Sequence, residues 1–475
     1  MTIRFRPATA LALAACLLAM VLPAHAMSGL NFTLHRMNGE RTGNTLLVVG
    51  GIQGDEPGGF NAASLLVSHY TIKKGNVWVV PNLNFISIIN RSRGVYGDLN
   101  RKFSALGHSD PEYLTIKKIK SIIMDNQVDM VLNLHDGSGF YRDAFEDAYH
   151  NPDRWGQSVI IDQAQLGAPS PWGDLHDIAR TVARTVNARL YDPEHALGVK
   201  NTRTRDGDEE MAKTLTFFAI NHGKPAFGQE TSKAFPTHIR AFYHLRMLEA
   251  FMDTLGIEYE RDFDLSAGGV RQAINSNLAL AFYDNRILLD LDNARSRLNY
   301  FPLQKGAALS FTPSNPLLAV VGEPGRYKVY YGNRNVTHLH PQYFEFDHSL
   351  AALHMRIDGQ KREVPIGAMV GVGDNFLVEP HPGYRVNIIG FTGMDTRCET
   401  GVNIRRNDIA GSYSVDRDGQ IFRVEVYRGE KFTGMVLVDF QGRNRDVRLL
   451  GNQAVSMLPP DHDAASAPAN PSQGR

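Results

Sequence analysis

Between residues 45 and 255 the chain alternates short apolar runs with longer stretches of helical period. The run 45–50 (TLLVVG) reads as a strand buried on both faces and ended by glycine. Residues 57–69 then read as a helix, and 77–81 (VWVVP) as the next strand. Residues 111–125 place apolar positions near a 3.6 period, and 128–134 form another near-continuous apolar run. Helices are expected near 174–190, 209–222 and 236–255, with a strand at 226–228. Strands buried on both faces and separated by helices predict an α/β domain with a mostly parallel sheet flanked by helices.

After residue 262 the period changes. Short alternating segments at 343–347, 384–389, 421–427 and 435–440 are separated by Gly, Asn and Asp turns, the pattern of small β-rich modules. The expected organisation is an α/β domain over 27–261, a small β-rich module over 262–340 and an immunoglobulin-like sandwich over 341–457. Residues 458–475, rich in Pro, Ala, Ser and Asp, read as a disordered tail.

The N-terminus adds an address. Arg4 and Arg6 precede an apolar run from Ala8 to Leu22, followed by Pro23 and Ala24-His25-Ala26. That is a signal peptide over 1–26 with cleavage near Ala26, and it predicts a periplasmic protein with no membrane span after cleavage. The run is shorter than the ~20 residues a spanning helix needs. Leu13-Ala14-Ala15-Cys16 also resembles a lipidation box, but Leu17 to Leu22 stay apolar where a polar tether would follow. With Cys16 removed only Cys398 remains, so no internal disulfide supports the fold. Lys+Arg and Asp+Glu both number 50 in 475 residues, giving a formal net charge of +0. No global field points to nucleic acid or to an anionic membrane.

Four segments carry chemistry. The turn after the first strand reads Gly50-Gly51-Ile52-Gln53-Gly54-Asp55-Glu56-Pro57. Ligands gather at the carboxyl ends of strands in open α/β sheets, and Gln53 and Glu56 stand three apart there, ahead of a helix. Val131-Leu132-Asn133-Leu134-His135-Asp136-Gly137-Ser138-Gly139 puts a histidine at a second strand end, roughly 80 residues later. Three protein ligands and an open position make a catalytic zinc arrangement, although a single histidine is more often structural. Asn90-Arg91-Ser92-Arg93-Gly94 and Asp98-Leu99-Asn100-Arg101-Lys102-Phe103 lie between; spacing alone favours a solvated basic surface. Gly228-Gln229-Glu230-Thr231-Ser232 carries a carboxylate at another strand end, or else a helix cap at Thr231 or Ser232.

Together these segments resemble the M14 zinc metallocarboxypeptidases over about 210 residues. They are most similar to the peptidoglycan D,L-carboxypeptidases that set the shape of helical and curved bacteria. Shared features are Gln in place of the first zinc His, D-L-N-R-x-F, L-H-D-G-S-G-F and G-x-E-T-S. The resemblance implies a carboxypeptidase-like α/β domain followed by two β-rich modules, the last immunoglobulin-like. It implies Zn²⁺ on Gln53, Glu56 and His135, with Glu230 as general base. It also implies Arg93 for the oxyanion, with Asn100 and Arg101 on the substrate's terminal carboxylate; Arg91, in the same loop, competes with Arg93 for its role. The implied reaction releases meso-diaminopimelate from a muropeptide tripeptide.

Two other readings remain open at this point. A zinc deacylase of the succinylglutamate desuccinylase and aspartoacylase type shares some segments, but usually has His as first ligand. An inactive wall-binding scaffold would make Gln53 the mark of a decayed site. The β-rich modules are candidates for docking wall or protein partners. Arg203, Arg205 and the acidic stretch 206–210 form a charge-rich loop that either lines the cleft or is merely solvated.

Overall fold

The computed structural model describes residues 30–167, 169–393, 398–445 and 447–450. The expected signal peptide, its cleavage point, Cys16 and the tail over 458–475 lie outside the described residues.

An eight-stranded mixed sheet forms the first body. Its strands are β1 (His35–Asn38), β2 (Arg41–Val49), β3 (Tyr70–Val80), β4 (Met130–Gly137), β5 (Ser158–Ile161), β6 (Gly198–Asn201), β7 (Ala226–Ser232) and β8 (Glu258–Arg261). The order is β1-β3-β2-β4-β7-β5-β6, with β8 also pairing with β3. The centre, β3-β2-β4-β7, is parallel, while β1 and β8 run antiparallel to β3, and β5 antiparallel to β7. Helices α1 (Pro57–His69), α2 (Phe85–Asn90), α3 (Tyr113–Ile123), α4 (Leu175–Asn187), α5 (Leu215–Asn221), α6 (Thr237–Thr254) and α7 (Ala267–Asn275) complete the body. Every residue of β4 and β7 is buried, as expected of central strands covered on both sides.

Two expectations change. The helix expected over 209–222 is a short 3₁₀ turn, Met211–Lys213, followed by α5. Thr214 breaks the run by capping α5: its hydroxyl accepts from the Phe217 N–H. The strand expected at 226–228 continues through Ser232, so Thr231 and Ser232 do not cap the next helix. Pro236 occupies that N-cap position.

Beyond α7 come a three-stranded sheet (Ile287–Asp290, Ala279–Phe282, Phe311–Pro313) and a four-stranded sheet (Arg297–Gln304, Arg334–Phe344, Arg326–Tyr331, Leu318–Glu323). Two further four-stranded sheets follow. One contains Ala352–Ile357 and Asn375–Val378, the other Ile421–Arg428 and Lys431–Asp439. Phe422, Val424, Val426, Val436 and Val438 pack with Leu353, Met355 and Phe376 in one apolar cluster. The intervening residues Ile421, Tyr427, Met435 and Leu437 join the cluster that runs back through the first body. Period-two alternation thus lets the same two strands serve two cores.

Turns of the middle sheets also touch the first body, at α1 and at the end of α2. Ser64 Oγ donates to Asn315 Oδ1 at 2.7 Å, and Arg91 Nε donates to the Asn333 carbonyl at 3.0 Å.

Candidate metal centre and active-site cleft

Strand register places the chemistry. In the β4–β7 pair, His135 lies opposite Glu230 and Asp136 opposite Thr231. Successive side chains leave opposite faces of a strand, and neighbouring strands stand about 4.8 Å apart. His135 and Glu230 therefore share one face, and Asp136 and Thr231 the other.

The second face is structural. Asp136, fully buried, accepts from Gly58 N at 2.8 Å, Thr231 Oγ1 at 2.9 Å and Arg240 Nη1 at 3.1 Å, with His244 Nε2 at 3.2 Å. Burial would raise its carboxyl, but His244, Arg240 and the Gly58 amide hold it below its ordinary value. Glycine is required at 58, because a Cβ there would meet Asp136 Oδ1 at 2.3 Å. This contact seats the first turn of α1 on the end of β4, and Glu56 occupies the N-cap position just ahead of Pro57. Its side chain does not cap the helix and turns into the cleft instead.

On the first face three donors converge. His135 Nδ1 lies 3.0 Å from Gln53 Oε1 and 2.9 Å from Glu56 Oε2. One ring nitrogen carries at most one proton, so it cannot satisfy both acceptors. A cation among the three resolves that crowding, and an amide oxygen, a carboxylate and an imidazole form a suitable donor set with room beside it. Among the described residues, no group of three or more His, Cys, Asp and Glu side chains is placed to hold a metal. The site reaches three donors only through the amide of Gln53.

Supporting groups surround these donors. Gln53 Nε2 donates to both carboxylate oxygens of Asp98, at 2.8 and 2.9 Å. Asp98 also accepts from Arg93 Nε at 2.9 Å and from the Asn100 amide at 2.9 Å. Burial would raise Asp98, but these bonds hold it below the ordinary carboxylate value. Lys233 Nζ stands 3.4 Å and Arg93 Nη1 3.7 Å from Glu56 Oε1, so two cations flank the oxygen that turns away from His135.

Glu230 differs from every other acid in the cleft. Its Oε2 is buried and has no hydrogen-bond partner among the described residues. Burial, with Glu56 and Asp136 adding repulsion, pushes its carboxyl up to about 8 against the pull of His135 and Lys233.

The cleft encloses about 310 Å³ and is lined by Gln53, Glu56, Arg93, Asn100, Arg101, His135 and Glu230. All seven residues singled out from sequence thus face one space. Trp155, Met211, Thr214, Thr216 and Lys233 also line it. Arg91 does not: it terminates α2 in a left-handed conformation and binds the Asn333 carbonyl. Asn100 Oδ1 accepts from Leu215 N at 3.0 Å, which leaves its amino group 3.4 Å from His135 Nε2. Arg101 pairs loosely with Glu210 at 3.5 Å. Of the charge-rich loop, Arg203 is exposed and Arg205 binds Asn221, so neither joins the cleft.

Asp98 and Lys233 escaped sequence reasoning as site residues. Asp98 sits inside the D-L-N-R segment and Lys233 directly follows Ser232, so both lay within the segments already singled out.

Over residues 10–275 the chain matches the Peptidase M99 family, described as "Carboxypeptidase controlling helical cell shape catalytic". Residues 346–441 match the "C-terminal domain of metallo-carboxypeptidase". Product-bound Cell Shape Determinant protein Csd4 from Helicobacter pylori is 40% identical, covers 86% of this chain and 100% of its own, and superposes with a TM-score of 0.78. The mDAP-bound form of Helicobacter pylori Csd4, described as a D,L-carboxypeptidase, is 40% identical over 85% of this chain and 99% of its own, with a TM-score of 0.78. The tripeptide-bound form is 39% identical over 86% and 100% of the two chains, again at 0.78. Comparison with curated protein sequences gave no significant match.

Proposed function

Since the chain belongs to the family of carboxypeptidases controlling helical cell shape, we propose that it is a zinc-dependent D,L-carboxypeptidase acting on peptidoglycan. Its reaction trims muropeptide tripeptide stems to dipeptides by releasing meso-diaminopimelate. The observation that carries this reading is the register of His135 with Glu230. It sets an unpartnered, proton-avid carboxylate beside the converging donors of Gln53, Glu56 and His135.

Gln53, Glu56 and His135 would hold the zinc. When bound, the ion lowers the pKa of water to about 7 and polarises the scissile carbonyl. Glu230 takes the proton of the attacking water and returns it to the departing amine. Arg93, held by Asp98, presents positive charge to the developing oxyanion. Asn100 and Arg101 grip the terminal carboxylate, which fixes the C-terminal residue for cleavage.

Donors, base and cationic groups all stand together in one cleft, which favours catalysis over an inactive scaffold. No helix among the described residues is long and apolar enough to cross a membrane, in keeping with action in the periplasm after signal cleavage near Ala26. We also read the chain beyond the α/β domain as two β-rich modules, the last immunoglobulin-like. These are read over 262–340 and 341–457; that the strand Arg334–Phe344 keeps its pairing with the middle sheet as far as Phe344 supports a division a few residues later.

The test is mass spectrometry of a muropeptide tripeptide incubated with zinc-loaded protein and with Glu230→Ala. Release of diaminopimelate by the wild type alone supports the assignment. An intact tripeptide in the presence of bound zinc refutes it.

A further inference from the structure

A second cleft, of about 280 Å³, opens between the middle sheets and the last module and shares no lining residue with the first. One wall is Arg297 to Tyr300, the start of a strand; the other is Ser412 to Ser414, in a 3₁₀ turn; Arg423 closes it.

The first wall is strained. Tyr300 has φ 53°, a left-handed conformation that an aromatic residue adopts only under constraint. It sits in a bulge, where Asn299 and Tyr300 together stand opposite the single residue His340. Bulges re-aim side chains, and this one leaves Tyr300 66% exposed at the cleft. The strain is held from beneath. Buried Arg423, paired with Glu425 at 3.2 Å, donates to the carbonyls of Asn299 and Tyr300 at 3.2 and 3.1 Å. The second wall is tied to the chain just ahead of the first: Arg295 binds Ser414 Oγ at 2.9 Å and the Gly411 carbonyl at 2.7 Å. Tyr413, also in the cleft, is 49% exposed.

The cleft therefore presents two exposed tyrosine rings on rigid walls, the Ser412 hydroxyl, and Arg297, whose guanidinium makes no hydrogen bond or ion pair among the described residues. Arg423 is already neutralised by Glu425. Ring faces that stack on sugar C–H groups, with a hydroxyl-binding group and a single unpaired cation, suit an amino-sugar chain carrying at most one carboxylate per repeat better than an acidic peptide.

We propose that this cleft binds the amino-sugar chain of peptidoglycan, at a site separate from the one that cuts its peptide stems. The proposal rests on the peptidoglycan reading above. Holding the glycan raises the local concentration of stems at the catalytic cleft, so cleavage of polymer gains over cleavage of free peptide. The walls are set before the ligand arrives, so little ordering entropy opposes binding.

The full chain is tested with two probes: glycan strands freed of peptide by an amidase, and a free stem tripeptide. Tyr300→Gly removes the ring yet suits the left-handed backbone, so the fold is kept; Tyr413→Ala is its counterpart on the other wall. Each is expected to weaken binding to glycan strands about tenfold, as loss of one ring contact implies, with tripeptide cleavage unchanged. Equal glycan binding by wild type and both variants overturns the proposal. So does a wild type that ignores glycan and holds stem peptide through Arg297. Glycan binding that is lost in the variants while the wild type cuts no tripeptide would refute the catalytic reading and leave this site standing.

Discussion

Gln53 faces Asp98 with its side-chain amide nitrogen, which donates to that carboxylate, and His135 with its oxygen. A carboxylate drawing on an amide's N–H groups shifts electron density toward the amide oxygen. In the proposed zinc site Asp98 would thus strengthen a neutral donor that is intrinsically weaker than imidazole, as carboxylates do for metal-bound histidines. It also fixes which end of the amide enters the site.

Asp98→Ala is expected to weaken zinc binding about 10- to 100-fold, read by competition with a chelator. Gln53→His, with an imidazole N–H in place to meet the same carboxylate, should slow zinc loss during chelator dialysis. Equal loss from wild type and Gln53→His would mean that the amide is no handicap.

Arg101 and Arg91, both between α2 and α3, should separate in kinetics. Arg101→Ala removes a charged contact worth about 1.5–3 kcal/mol. KM for the tripeptide should rise about 10- to 100-fold, with kcat less affected where substrate and transition state share the grip. Arg91→Ala, whose side chain binds the Asn333 carbonyl outside the cleft, should leave KM within about twofold and affect only stability.

Gly137 ends β4 where space is short. A Cβ there would meet Gly156 N and Trp155 Cβ at 2.6 Å, and Glu230 Oε2 at 2.7 Å. Gly137→Ala should cost about 1–3 kcal/mol in denaturant unfolding, because backbone blocks relaxation. It should also lower kcat by displacing Glu230, and an unchanged kcat would remove that carboxylate from the reaction.

Much of this site was legible because its polar residues punctuate buried apolar runs at the ends of β2, β4 and β7. Gln53, Glu56, His135 and Glu230 stand out for that reason. Strands β5 and β6, four residues each, leave too short a pattern to separate from loop, and their pairing depends on distant partners. The β4–β7 register and the bulge at Tyr300 are likewise products of pairing. No local period encodes them.

Asp162 offers a test of pH dependence away from the metal. Burial holds its carboxyl above the ordinary carboxylate value, despite bonds from Thr204 Oγ1 at 2.5 Å and Thr202 Oγ1 at 3.4 Å. The folded chain keeps this proton longer than the unfolded one. Its contribution to stability is therefore full below the ordinary carboxylate value and lost as pH rises through the raised one. The stability of Asp162→Asn relative to wild type should climb across that window and then level off. A difference independent of pH, in unfolding measured at several pH values, would show that Asp162 titrates normally.

The strands Ile421–Arg428 and Lys431–Asp439, with alternate side chains in two cores, make the end of the chain a keystone. Removing the last module would strip the middle sheets of their apolar cover and leave a sticky, aggregation-prone remnant. The chain should therefore melt in a single transition, and a protease should find no long-lived fragment in which the catalytic body survives alone. Natural variation in the last module would then reach the metal site through the stability of the whole, without a residue of it touching the cleft.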